Sequence, residues 1–373
     1  MENSEYLWRQ GRMGDGANIL LVGNGFDLAH GLPTDYQSFA NFMSAAQAGR
    51  YGAGGQAETL KILEAYDVGP ELGQFLLDAF SGAPDRWDGR MRELQSLMHD
   101  NFWVGYFRPR SREENVWVSF ENKISELVQM LDAYGKCTDK AEQLRLWRQL
   151  AGRLGRAGTD LGGTGMARLV ERLLTDLSRL IRCLEIYLCL CLEQIPVHRR
   201  LGAVLDIGAI DKVLSFNYTD TFARFYQPGL CRPPKYCYIH GRAALDNTLD
   251  DNNMVLGIDE YLDGDARSQE ITFVHFKKFY QRIFKQTDYQ YTKWFAEPGP
   301  KNLYILGHSL DVTDQDVLQY VITREDVTTT IFYHCRENNA RQIQNLLQVL
   351  GYDDLNALAR GRKNSSITFR QLY

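Results

Sequence analysis

The sequence predicts an α/β fold, a mostly parallel sheet with helices on both faces. Three observations predict it. Short apolar runs, each long enough for one buried strand, alternate with segments of helical periodicity. The first run breaks at once into a glycine turn, Gly23-Asn24-Gly25. The later runs also end in glycine or polar clusters, where a sheet of this class carries its ligands.

The first strand is expected over residues 19–22. The two glycines after it remove Cβ atoms from a backbone that must turn sharply or approach a ligand. A second turn, Gly31-Leu32-Pro33, precedes a helix start at Thr34, whose spacing to Gln37 is that of a capping box. Strand, glycine loop and helix together can aim amides and a helix dipole at a phosphate. A plain tight turn has the same pattern, and Leu28 stands where a full dinucleotide fingerprint has its third glycine.

Residues 58–204 read as mainly helical. Phe120, Ile124, Leu127 and Leu131 share one helix face, and Leu169, Leu173, Leu177, Leu180 and Leu184 form a core stripe in a long helix over 166–195. The glycines of 47–56 and 151–165 predict loops, the second mobile. Strands are then expected over 213–216, 236–239, 254–258, 302–306 and 328–334, and helices over 277–295, 314–321 and 339–351. The expected organisation is one sheet domain, residues 1–45 and 205–373, with 46–204 as a helical insertion.

Composition narrows the function. The chain has 373 residues, 44% hydrophobic and 24% charged, with a net charge of −5. A general nucleic-acid binder needs a basic surface, so nucleic acid is not an expected partner. The seven cysteines include no C-x-x-C pair, which excludes a zinc ribbon and suits a reducing cytoplasm. Residues 1–12 carry no signal-peptide core. The most apolar segment, 180–195, contains Arg182, Glu185 and Glu193, too much charge for a membrane span. The expectation is a cytoplasmic protein with no membrane partner and no metal.

Four strand ends carry the candidate chemistry: Gly23-Asn24-Gly25-Phe26-Asp27, Asn217-Tyr218-Thr219-Asp220, His240-Gly241, and Gly307-His308-Ser309 with Asp311, Asp314 and Asp316 beyond. Each has a plain alternative. Asn217, Asp27 and Ser309 suit helix caps or turns, and a lone His240 suits a hydrogen-bonded core histidine. The three aspartates suggest helix capping before a metal cluster. Their joint placement at strand ends favours one site.

GNGFDLAHGLPTDYQSF, FNYTDTFARFY, YIHG and LGHSLDVTDQDVL, in this order, resemble the AbiH family of phage abortive-infection proteins, and more widely the sirtuin-like superfamily. The resemblance covers roughly 18–45 and 205–335. It implies a Rossmann-like, sirtuin-like NAD-binding domain. The zinc cysteines of sirtuins are missing, and Thr34-Asp35-Tyr36 replace the arginine of deacylases, so the resemblance implies NAD hydrolysis to nicotinamide and ADP-ribose rather than deacylation.

The corresponding roles are these. Gly23, Asn24, Gly25 and Phe26, with Gly307, His308 and Ser309, bind the NAD phosphates and ribose. Asn217 fixes the ribose or the attacking water, His240 is the base, and Asp27 sets negative charge beside an oxocarbenium-like sugar. Glu121 has no assigned role beyond an exposed helix charge. No further cofactor is required. Expected partners are NAD or a related nucleotide, a phage-derived trigger, and a second copy of the chain through the helical insertion. The rival readings are a non-catalytic NAD or ADP-ribose sensor and a nucleic-acid-cleaving effector.

Overall fold

The computed structural model describes residues 16–49, 59–61, 63–64, 66, 68–80, 88–107, 120–155, 165–197, 205–262, 269–360 and 366–372. The lead-in 1–15 and most of the two glycine-rich segments, 50–56 and 156–164, lie outside the described residues. The chain divides into two compact units. Unit one comprises Met1–Leu32, Val197–Arg242 and Thr287–Tyr373, and unit two comprises Pro33–Pro196 and Ala243–Gln286.

Unit one is built on six strands, β1 (Ala17–Val22), β2 (Lys212–Ser215), β3 (Lys235–Tyr238), β4 (Lys301–Leu306), β5 (Val327–Tyr333) and β6 (Ile367–Gln371). All pair in parallel, in the order β3-β2-β1-β4-β5-β6. This is the strand order of doubly wound dinucleotide-binding sheets, and the order reverses between β1 and β4. Both faces are covered, which is why the central strands read as continuous apolar runs. Ile19 and Leu21 face a cluster that includes Leu318, Val321, Leu346 and Val349. Leu20 and Val22 face Phe26, Phe222 and Tyr226. Helices Gln315–Ile322 and Arg336–Leu350 therefore cover one face, and the short helices Asn24–Ala29 and Thr221–Tyr226 the other.

Three expectations are corrected. Helix Tyr36–Ala48 is capped by Asp35, which accepts the Ser38 amide at 2.9 Å, while Gln37 turns to Asn41. The charged acceptor one residue on displaces the Thr34 capping box. The run 254–258 is no sheet strand; it lies in unit two and forms one bridge, Ile258 to Lys277. Its Leu256 amide and carbonyl both pair with the side-chain amide of Gln281, at 3.1 Å each. The helix expected over 277–295 is two, Lys278–Phe284 and Gln290–Ala296, parted by Gln286 at φ +52. Strand β6 had no counterpart in the sequence reading.

In unit two the stripe Leu169, Leu173, Leu177, Leu180 and Leu184 is buried along helix Gly165–Ile186, which continues as a π-helical turn, Tyr187–Cys191. The same helix buries charge. Glu185 is fully buried and accepts from Arg182, the Ala244 amide, Asn247 and Asn252. Arg182 also bonds Glu93 and the Leu245 carbonyl. The pair is fully hydrogen-bonded, the condition under which buried charge is tolerated. No helix among the described residues is long and apolar enough to cross a membrane.

Glu185→Ala strips the buried Arg182 of its nearest counter-charge, leaving it Glu93, and leaves three neutral donors without their acceptor. The expected loss is about 3–5 kcal/mol, read from the urea midpoint of purified protein, with Glu185→Gln losing less.

Candidate functional site

The site is set by the way β1 and β4 end. The Gly23 amide donates to the Leu306 carbonyl at 3.2 Å, and the Gly25 amide to the Gly307 carbonyl at 2.7 Å. The two loops touch backbone to backbone. A Cβ on Gly25 would lie 2.8 Å from the Gly307 oxygen, and one on Gly307, which has φ +71, would lie 2.1 Å from the Phe26 nitrogen. The glycines that suggested a phosphate loop serve this contact, and the amides of Gly23 and Gly25 are engaged by the protein's own carbonyls. Asn24 opens helix Asn24–Ala29, whose six residues carry Asp27 inward.

Asp27 is 1% exposed. The Thr219 hydroxyl donates to its Oδ2, and Thr221 donates to Thr219 at 3.1 Å. Asp27 Oδ1 is enclosed and has no hydrogen-bond partner of standard geometry. Burial raises the carboxyl from its ordinary 3.8 to about 6, against the lowering effect of Thr219, Thr221 and Asn217. Asn217 donates from Nδ2 to the Gly23 carbonyl at 3.0 Å, tying the end of β2 to the first loop. Its own amide is held by Ser215 Oγ at 3.1 Å.

Asp27, Asn217, Thr219, Asp220 and Tyr238 line a cavity of about 10 Å³ at the carboxyl ends of β1, β2 and β3. That is room for about one water molecule. Burial pushes the Tyr238 phenol up to about 12, so it stays protonated at neutral pH.

His240, 5% exposed, follows β3. Its Nε2 lies 2.9 Å from Asp314 Oδ1. His308, after β4, lies with Nε2 3.5 Å from Asp314 Oδ2, and the Phe216 ring stands edge-on to both imidazoles. Phe216 belongs to the apolar cluster on one face of the sheet, whereas Phe26 and Phe222, beside Asp27, belong to the other. Asp27 and Asn217 thus share one cavity. His240 is two strand spacings from β1, roughly 10 Å, in a cluster with Asp314 and His308.

The remaining predicted residues are placed as follows. Phe26 is buried against His30, Phe222 and Tyr226. Ser309 is exposed, and its carbonyl accepts from Asn345. Asp311 caps the Thr313 amide and Asp316 bonds the amide of Val317. No metal-holding group of three acidic, His or Cys side chains occurs among the described residues. In unit two Glu121 is not an exposed charge: 13% of its side chain is accessible, it accepts from the Tyr36 hydroxyl at 2.6 Å, and the Lys278 ammonium lies 3.9 Å away. Sequence reasoning missed Thr219 and Thr221 as partners of Asp27, although both lie in the quoted NYTDT motif. It read Asp314 as a helix cap and did not see its turn toward two histidines.

A family model described as bacteriophage abortive infection AbiH matches residues 19–334. No curated protein and no solved structure matches the chain.

Two outcomes are expected at this site. The Asp27 carboxyl binds its proton more tightly folded than unfolded, so its contribution to stability is full below about pH 4 and is lost as pH rises through 6. The difference in unfolding free energy between wild type and Asp27→Asn, followed from pH 4 to 8, should fall by about 2 kcal/mol. Gly307→Ala should cost at least about 3 kcal/mol. Gly351→Ala, at φ +81 and ψ 167 with open space around it, should cost about 2 kcal/mol, from backbone strain alone.

Proposed function

From the premise that this chain belongs to the AbiH family, and so has a role in bacteriophage abortive infection, we propose that its effector chemistry is hydrolysis of NAD to nicotinamide and ADP-ribose. The observation that carries the reading is the pairing of Asp27 and Asn217. They stand on adjacent strand ends, beside the reversal of strand order, around a cavity of water size. The strand order by itself is a fold analogy; the chemistry rests on these side chains.

The residues suit one part of such a substrate and not another. An enclosed carboxylate with one uncommitted oxygen, an amide and a hydroxyl suit a water and a ribose that gains positive charge. The amides of Gly23 and Gly25 offer no phosphate cradle while they hold β4, and we assign no phosphate contact. The cavity is far below nucleotide size, so the dinucleotide lies on the outer carboxyl edge.

Water oxygen bonds to the ribose C1′ as the bond from C1′ to the pyridinium nitrogen breaks. The electron pair leaves with neutral nicotinamide, and the water proton is relayed through solvent to His240, which stands in its own cluster roughly 10 Å from β1. Asp27, largely ionised at neutral pH, offsets the charge that develops on the sugar. Asn217 orients the water or the ribose.

Nicotinamide release from NAD, followed by chromatography with and without lysate from phage-infected cells, tests this reading. Wild type should turn over, and Asp27→Asn, Asn217→Ala and His240→Ala should each lose about 100-fold or more. Equal rates in all four proteins would remove the assignment. NAD left intact while it raises the melting temperature would transfer the site to the binding role.

A further inference from the structure

His240 and Asp314 are joined more closely than a capping aspartate requires. His240 lies two residues beyond β3, His308 two beyond β4, and Asp314 at the N-cap of helix Gln315–Ile322. The Asp314 side chain makes no capping bond to that helix. Its two oxygens turn to the imidazoles instead, at 2.9 and 3.5 Å. All three residues are nearly buried, at 5%, 5% and 7% exposure.

Donor and acceptor chemistry then locates the protons. A carboxylate only accepts, so His240 donates from Nε2. Its Nδ1 is the acceptor nitrogen of the neutral ring. His308 is fixed independently: its Nδ1 accepts the Leu310 amide at 2.9 Å, which leaves its proton on Nε2, facing Asp314. Leu310 sits at φ +60, so this bond also holds a backbone conformation that a leucine seldom adopts. Both rings therefore face one carboxylate through the same nitrogen, and Phe216 packs edge-on to each.

We infer that Asp314 is the positioning residue of His240, bridging two imidazoles and holding His240 as the Nε2–H tautomer with Nδ1 as its basic atom. This rests on the proton-accepting role proposed for His240 and specifies it. His308 sets the far side of the bridge, so the loop after β4 fixes the orientation of a ring that follows β3.

The test combines a spectrum with kinetics. In protein labelled with ¹⁵N-histidine, wild-type His240 should show a protonated Nε2 and a bare Nδ1, and Asp314→Asn should lose that selection. With NAD, Asp314→Asn should lower kcat by about 10²- to 10⁴-fold, the upper end being the effect of the same change in a serine-protease triad, while KM stays within about twofold. Asp314→Glu should recover part of the rate. A wild-type His240 protonated on Nδ1, or an unchanged kcat in Asp314→Asn, overturns the inference. If Asp314→Asn does not fold, the wild-type spectrum decides. If wild type releases no nicotinamide under any condition, the hydrolysis reading falls while the spectrum still decides the bridge.

Discussion

Everything at the carboxyl edge of unit one depends on a contact between two backbones. The loops after β1 and β4 meet at Gly23, Gly25 and Gly307, none of which has room for a Cβ. Two amide–carbonyl bonds close the gap. The same contact starts helix Asn24–Ala29 and so delivers Asp27 one turn later to the end of β2. Asn217 completes the lock by bonding the Gly23 carbonyl. Glycine beside a strand end is commonly read as room for a ligand, but the requirement for no Cβ is the same when the visitor is another stretch of the protein.

The sheet separates two acidic groups that share a strand edge and differ in environment. Asp27 is held by a hydroxyl, a weak partner for a charge, and desolvation wins: its proton affinity rises. Asp314 faces two ring nitrogens that can donate. One carboxylate is thus poised near its titration point and the other is committed to orienting rings. Phe216 and Phe26 belong to opposite faces of the sheet and back the two groups with apolar surface. Such division of roles by environment is how similar side chains acquire different chemistry.

The sheet was legible because its central strands are covered on both faces and must therefore be apolar along their length. The meeting of Asn217 with the first loop follows from strand ends lying side by side. What the sequence hid has specific causes. The cap of helix Tyr36–Ala48 was contested by Thr34 and Asp35, one residue apart, and the carboxylate took the amide. Strand β6 is a polar edge strand, ITFRQ, with a single fully buried residue, Ile367, and no alternation strong enough to announce it. Asp314 sits among aspartates that do cap amides, so only its rotamer distinguishes it. The hydroxyls on Asp27 depend on a loop geometry that no periodicity encodes.

Gln281 has a consequence for how the chain avoids error. The run MVLGI has the β-branched and apolar character of a sheet strand, which is why it reads as one. A segment of that kind with unpaired backbone groups is a template for joining another strand. One glutamine side chain, 25 residues along, presents a donor and an acceptor to Leu256 as a neighbouring strand would. It thereby leaves the segment with the single bridge of Ile258 to Lys277 in place of a ladder. The side chain acts as a blank partner: it satisfies the backbone of a sticky segment without offering a further edge on which a second chain could grow.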